Sequence, residues 1–330
     1  MLPGTRRLLV PVLAATLVGG VLVGSSTLLG RAPQAAADQA ASPTRARCAL
    51  PSPQEAGSSQ KYEITSGGRT RSYVLRLPDG YERRASWPLI VAFHGRGSTG
   101  VEVEGFSGLS DLPAVVAYPD GEVGTGDGYR RAWQGAPYQP TGVDDVAFTA
   151  DLLDHLDDTL CVDPTRTYAT GKSNGAGLTT LLACRLPGRF AAIAPVAPAL
   201  YPQSQEGCEG ARPTSVLEIH GVADTTIPYA GDPDRQLPAV RDWVRGWAER
   251  DGCTSSRTSR IRRDVTSTRY AGCVAGTEVA HLAVDGGGHV WPGADTYSGG
   301  GHTTQSIEAS RAAWAFFTRH HLTRAEGRDR

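Results

Sequence analysis

The sequence predicts an α/β fold with a largely parallel sheet, and three observations carry that expectation. Apolar runs such as "PLIVAFH" (88–94) and "AVVAYPD" (114–120) are continuous, as in strands buried on both faces. Helical periodicity alternates with them: in "VDDVAFTADLLDHLDDTL" (143–160), Phe148, Leu152, Leu153, Leu156 and Leu160 share one face, with Asp144 or Asp145 placed to cap it. The 330 residues are 40% apolar and 20% charged, so the chain can bury a full core. A formal net charge of -1 gives no reason to expect nucleic acid or an anionic membrane as a partner.

Residues 1–37 are set aside from the fold. Arg6 and Arg7 precede an apolar run from Leu8 to Gly30, and Ala35-Ala36-Ala37 forms a small-residue cleavage site, the pattern of a secretory signal peptide. The run is long enough for an uncleaved anchor, but Pro11, Gly19 and Gly20 inside it weigh against one. The two arginines do not separate twin-arginine from general export. Cleavage removes Arg6, Arg7 and Arg31 and no acid, which takes the net charge to -4 and leaves no stable membrane association. Residues 38–60, polar and rich in Ser, Pro and Ala, read as a flexible leader. The folded domain is expected over 61–320 and a polar tail over 321–330.

Along that domain "SYVLRL" (72–77) puts Tyr73, Leu75 and Leu77 on one face at period two. "RTYATG" reads as a strand and "NGAGLTTLLACRL" as a helix. "FAAIAPVAP" and "SVLEIHG" read as strands and "LPAVRDWVRGWAER" as a helix. Strands near 260–270 and 277–284 precede a last helix with Ile307, Trp314 and Phe317 facing inward. Strand-helix alternation of this kind gives a parallel sheet whose ligands sit at the carboxyl ends of its strands. All six cysteines, Cys48, Cys161, Cys184, Cys208, Cys253 and Cys273, lie in the exported part. Their even number suggests three disulfides, although six cysteines allow fifteen pairings. No ligand spacing for a metal is present, and no cofactor is expected.

Gly171-Lys172-Ser173-Asn174-Gly175 falls between a predicted strand and a predicted helix, the setting of a strained turn that exposes a serine nucleophile. A serine hydroxyl needs a base to take its proton. Of eight histidines, His155 lies within a helix, His281 along a strand, His302 in a Gly-rich loop, and His320 and His321 in the expected tail. His289 differs, since "AVDGGGHVWPG" places it in a glycine loop directly after a strand. The orienting carboxylate is expected between Ser173 and His289 at a strand end, and "VLEIHGVADTTIPY" offers Asp224 there. Asp232 and Asp234 sit in a polar turn away from any strand end, and His220 is read as shaping the turn. Backbone N–H groups of Asn174 and of Arg96, in "HGRG" after a strand, are the candidate oxyanion donors. Trp133 and Trp291 are the candidate substrate-pocket side chains, Tyr229 a weaker one. Asp144 and Asp145 read as a cap and a loop anchor rather than as acids.

"HG" after a strand, "YPDG", "W...VDDVAF", "VDPTRTYATGKSNGAG", "FAAIAPVAP", "HGVADTTIPY" and "GGGHVWPG", spread in order over residues 60 to 320, resemble the secreted esterase family of polyhydroxybutyrate depolymerases, feruloyl esterases and acetylxylan esterases. The resemblance implies an α/β-hydrolase fold, with a mostly parallel central sheet and helices on both faces. It implies Ser173, Asp224 and His289 as a triad and Arg96 and Asn174 at the oxyanion hole, with Arg96 standing where members often carry cysteine. It also implies the pairings Cys184 to Cys208 and Cys253 to Cys273, leaving Cys48 for Cys161.

The expected activity is that of a secreted serine carboxylic-ester hydrolase working through an acyl-enzyme. With no appended binding module in the sequence, soluble feruloyl or acetyl esters of plant polysaccharide are the expected substrates, ahead of a short-chain polyester such as polyhydroxybutyrate. An exported binding protein on an inactive hydrolase fold, and an acyltransferase using the same residues, are the other readings.

Overall fold

A computed structural model describes residues 48, 51–81, 86–126 and 128–323. The signal-peptide reading of 1–37 lies outside the described residues. Ten strands form one sheet: β1 (Ser59–Ser66), β2 (Arg69–Arg76), β3 (Trp87–Phe93), β4 (Val115–Pro119), β7 (Val162–Lys172), β8 (Ala192–Val196), β9 (Ser215–Gly221), β10 (Ser255–Arg262), β11 (Val265–Ala271) and β12 (Val279–Val284). The short pair β5 (Glu122–Val123) and β6 (Arg131–Ala132) stands apart from it. The spatial order is β1-β2-β4-β3-β7-β8-β9-β12-β11-β10. The six strands from β4 to β12 run parallel, and an antiparallel pair extends the sheet at each edge.

Alternation along each buried strand sends side chains to two separate cores. Leu89, Val91 and Phe93 of β3, with Ile193 and Val216, face α2 (Asp145–Thr159), α3 (Asn174–Arg185) and α4 (Val240–Arg250). Ile90 and Ala92, with Ala194, Leu217 and Ile219, face α1 (Gly100–Ser107) and α5 (Ala309–Phe317). Helices therefore cover both faces, as expected of the α/β-hydrolase fold. The stripe Phe148, Leu152, Leu153 and Leu156 is buried, and the Asp144 side chain caps α2 by accepting from the Ala147 N–H at 2.9 Å. Asp145 is the loop anchor: it is fully buried and pairs with Arg71 at 2.8 Å.

Two boundaries differ from the sequence reading. The ordered fold begins inside the expected leader, since β1 starts at Ser59 and the buried Gln54 amide donates to the carbonyls of Ser58 and Leu75. Its alternating polar pattern disguised β1, because an edge strand leaves one face in water. At the other end the fold runs past 320: the Leu322 N–H donates to Thr165 O at 2.9 Å, and His320, read as a tail residue, is buried, its carbonyl accepting from the Tyr168 hydroxyl at 3.0 Å and its ring lying 3.1 Å from Ser215 Oγ. The helix α1, capped by Thr99 and Glu102, was also absent from the sequence reading. Disulfides join Cys48 to Cys161, Cys184 to Cys208 and Cys253 to Cys273. No helix among the described residues is long and apolar enough to cross a membrane.

Candidate active site

Ser173 is the one residue between β7 and α3. Its backbone is strained, with φ 56° and ψ -118°, a region that residues bearing a Cβ rarely occupy. Surrounding bonds hold it there: its N–H donates to Val196 O at 3.0 Å, and its carbonyl accepts from the N–H groups of Gly177 and Ala199, both at 2.9 Å. The flanking glycines are required by close approach. A Cβ on Gly171 would lie 2.7 Å from the Gly175 carbonyl carbon and 2.9 Å from Phe93 O, and one on Gly175 would collide with the carbonyl oxygens of Phe93 and His94.

The loop after β3 packs against this turn, with Gly95 so placed that an added Cβ would lie 3.4 Å from the Ser173 Cβ. His94 holds the loop: its Nε2 accepts from the Gly121 N–H at 2.9 Å, and its Nδ1 lies 2.7 Å from the Gly95 carbonyl. Burial pushes the His94 imidazole down to about 4, which keeps the ring neutral for that acceptor role. The Asn174 side chain is tied to the Trp133 backbone, its Oδ1 accepting from Trp133 N at 2.7 Å, so the first residue of α3 is fixed beside the serine.

At the far side, Asp224 follows β9 and His289 follows β12. Although 65 positions apart in the chain, they meet in a bond of 2.7 Å between His289 Nδ1 and Asp224 Oδ2. Asp224 Oδ1 accepts from the N–H groups of Thr226 (2.8 Å) and Ile227 (2.9 Å). Burial opposes its charge, but the hydrogen bonds from His220 and His289 outweigh it and hold the carboxyl well below the usual range. An ionised carboxylate only accepts, so Nδ1 of His289 carries the proton and Nε2 is left with its lone pair. Burial lowers the His289 pKa against the pull of Asp224, and the nearby Lys172 ammonium lowers it further. Lys172 itself is buried, and desolvation brings it down to about 8.

Behind Asp224 lies a polar chain that sequence reasoning missed. His220, read only as shaping a turn, has Nδ1 at 2.9 Å from Glu218 Oε1, while Nε2 lies 3.0 Å from Ile227 O and 3.3 Å from Asp224 Oδ2. Every neighbour is an acceptor, so both nitrogens carry protons and the ring is an imidazolium; burial opposes that charge, but Asp224 and Glu218 raise it to about 10. Glu218 is fully buried, and its Oε2 lies 2.5 Å from Nδ1 of His281, whose Nε2 shares a hydrogen bond of 2.7 Å with the Tyr229 hydroxyl. Arg241 Nε donates to that hydroxyl at 3.1 Å. The signal in the sequence was the period-two spacing of Glu218 and His220 inside an otherwise apolar strand.

Ser173, His289, Lys172 and Arg96 line one cleft of about 810 Å³ at the carboxyl ends of the strands. Trp133 and Trp291 do not, which corrects the expectation that they form the substrate pocket. Both are fully buried: Trp133 Nε1 donates to His94 O at 2.9 Å and its ring meets Phe93 edge-on, while Trp291 Nε1 donates to Ser107 O at 3.1 Å. Large aromatic surfaces gain more from core packing than from an open cleft, and each indole N–H found a carbonyl inside. Tyr229 is occupied by His281. The aromatic side chains on the cleft are Phe106, Tyr138, Tyr201 and the exposed Tyr297.

A putative esterase, NocK, from Nocardia uniformis subsp. tsuyamanensis is 30% identical over 262 residues, covering 70% of this chain and 73% of that protein. The chain belongs to the esterase family of the α/β-hydrolase type. Feruloyl esterase B of Piromyces equi is 29% identical to this esterase over 232 residues, which are 66% of the chain but only 42% of that relative's length. The model of the prolyl oligopeptidase family matches residues 105–208, a segment that holds Ser173 and neither Asp224 nor His289. An acetyl xylan esterase from Aspergillus awamori superposes with a TM-score of 0.56 over 79% of this chain and 99% of that one; at 16% identity the likeness extends to the fold alone.

Proposed function

We propose that this esterase is an exported carboxylic-ester hydrolase that works through an acyl-enzyme on Ser173. The observation that carries the reading is the 2.7 Å bond from His289 to Asp224, made by an imidazole that faces the same cleft as Ser173. Ser173 Oγ attacks the ester carbonyl carbon while His289 Nε2 takes the hydroxyl proton. The backbone N–H groups of Asn174 and Arg96 receive the developing oxyanion, and the positive end of α3 adds to their field. Collapse breaks the bond to the alcohol oxygen, which leaves with the proton from His289. Water then attacks the acyl carbon by the same route and frees Ser173. Asp224 keeps the imidazole in one tautomer and steadies its charge in both halves.

Feruloyl or acetyl esters of plant polysaccharide are the proposed substrates. Supporting this are relatives named as feruloyl esterases and an open cleft with the exposed Tyr297 at its side, a flat ring on which a sugar or aryl group can lie. Export is supported by three disulfides, which persist in oxidising compartments. The test is hydrolysis of p-nitrophenyl acetate, methyl ferulate, acetylated xylan and polyhydroxybutyrate by wild type and Ser173→Ala, together with labelling by a fluorophosphonate. The expected result is labelling of wild type alone, and activity on the first three substrates that falls at least ~10⁴-fold in the variant. Equal rates in the two proteins would overturn the mechanism.

A further inference from the structure

The charge on the cleft wall runs against the charge of the chain. The whole sequence carries a formal net charge of -1. Among the described residues, however, the cleft is lined by Arg96, Arg130, Lys172 and Arg235 against one carboxylate, that of Glu102. That carboxylate is already engaged at the start of α1, where Oε2 accepts from Ser98 Oγ (2.7 Å) and Thr99 N (2.9 Å).

Two of the four cations are held in place on one wall. The Arg96 guanidinium lies over the Tyr138 ring, 4.3 Å from its centroid, and Tyr138 meets Tyr201 edge-on. Arg235 donates to the Thr226 carbonyl at 2.8 Å and to the Tyr201 hydroxyl at 3.0 Å; Asp232, at 3.6 Å, offsets part of its charge. Stacking and these bonds hold the two planar guanidiniums on the cleft wall with little side-chain freedom left to lose. Lys172, the residue before Ser173, contributes a buried ammonium. Arg130 stands exposed at the rim, with no carboxylate among the described residues in ion-pair reach. A concave, low-dielectric wall of one sign focuses its potential into the cleft and raises the local concentration of the opposite charge.

We propose that the substrate of this esterase is an anionic ester, one that bears a free carboxylate within the cleft in addition to the ester that is cleaved. The inference rests on the esterase reading and narrows it. A neutral acetyl or feruloyl group would leave the basic wall unused, whereas an acyl portion ending in a carboxylate, or an alcohol portion such as an acidic sugar, would meet it. Both sources share one chemistry, a carboxylate received by guanidinium groups.

Paired substrates test it. Mono-p-nitrophenyl glutarate is compared with its neutral methyl ester, and para-acetoxybenzoate with methyl para-acetoxybenzoate, each rate divided by that of alkaline hydrolysis. In low salt kcat/KM is expected to favour at least one anion over its neutral partner by roughly tenfold or more. Which pair shows the effect tells whether the acyl or the alcohol side carries the charge. Added salt lowers the ratio, and Arg130→Gln and Arg235→Gln each lower it without salt. Anions hydrolysed no faster than their neutral partners, or a preference untouched by both variants, would overturn the proposal while hydrolysis of the neutral esters leaves the esterase reading standing. If all four esters resist hydrolysis, the esterase reading fails and takes this one with it.

Discussion

On β3 and β7, Ser173 is placed by backbone sterics: a positive φ, two glycines that admit carbonyl groups, and a loop packed against the serine itself. On β9 and β12, Asp224 and His289 are placed by charge, through an imidazolium at 220 set between two buried carboxylates. The first half stores strain in the chain and responds to added volume. The second stores desolvation energy in ionised groups and responds to the loss of any one of them, or to pH. In the proposed mechanism, excluded volume locates an atom whose position must be fixed, and paired charges suit a ring that must gain and lose a proton without turning.

Neutralising the acid is expected to have the largest effect. Asp224→Asn keeps the shape but removes the acceptor that selects the His289 tautomer, and kcat on p-nitrophenyl acetate should fall by ~10⁴-fold. A fall of less than tenfold would mean that the charge-held half is not part of catalysis. His220→Leu comes next, since it removes the cation set between the buried Glu218 and Asp224. Thermal or urea unfolding should report a loss of about 3–5 kcal/mol, and an unchanged midpoint would show that the ring does not carry its charge.

The same histidine sets a pH test. Its value is raised from 6.5 in the unfolded chain to about 10 in the fold, so its stabilisation is complete below 6.5 and is lost as pH rises through 10. Melting temperature should fall across that window in wild type and less steeply in His220→Leu. His289 is shifted the other way, and it must be neutral to accept the serine proton. The acid limb of kcat/KM is therefore expected below pH 6.5; a limb above that value would contradict the burial that depresses it.

The sterically held half gives smaller changes. Gly175→Ala forces the chain away from the Phe93 and His94 carbonyls and should cost about 1–3 kcal/mol. Gly105→Ala in α1 meets nothing within 4 Å and should instead stabilise by about 0.5–1 kcal/mol, through helix propensity alone. Equal behaviour of the two variants in a melting experiment would remove the packing argument at Gly175.

Both edges of legibility obey the same division. The strands of the parallel core were readable because burial on two faces leaves mostly apolar residues, and the turn at Ser173 because its steric demands reduce to glycines at fixed positions. The leader's end was misread because β1 is an edge strand with one face in water. Trp133 and Trp291 were misplaced because the residues beside a site do not say which way a ring points, and both rings turned into the core. Glu218 and His281 lie far apart in sequence, yet they are direct partners in the parallel register of β9 and β12.

By itself the sequence determined the features that short-range rules govern: alternating elements, the strained serine turn, the chain order of Ser173, Asp224 and His289, and an even set of cysteines. Only the tertiary structure decided which distant charges meet. The register that sets His281 beside Glu218, and the folding back of loops that gathers Arg96, Arg130 and Arg235 around one cleft, depend on contacts between segments tens of residues apart. Coulomb energy depends on distance in space and on burial, and neither is written in the spacing of residues along a chain.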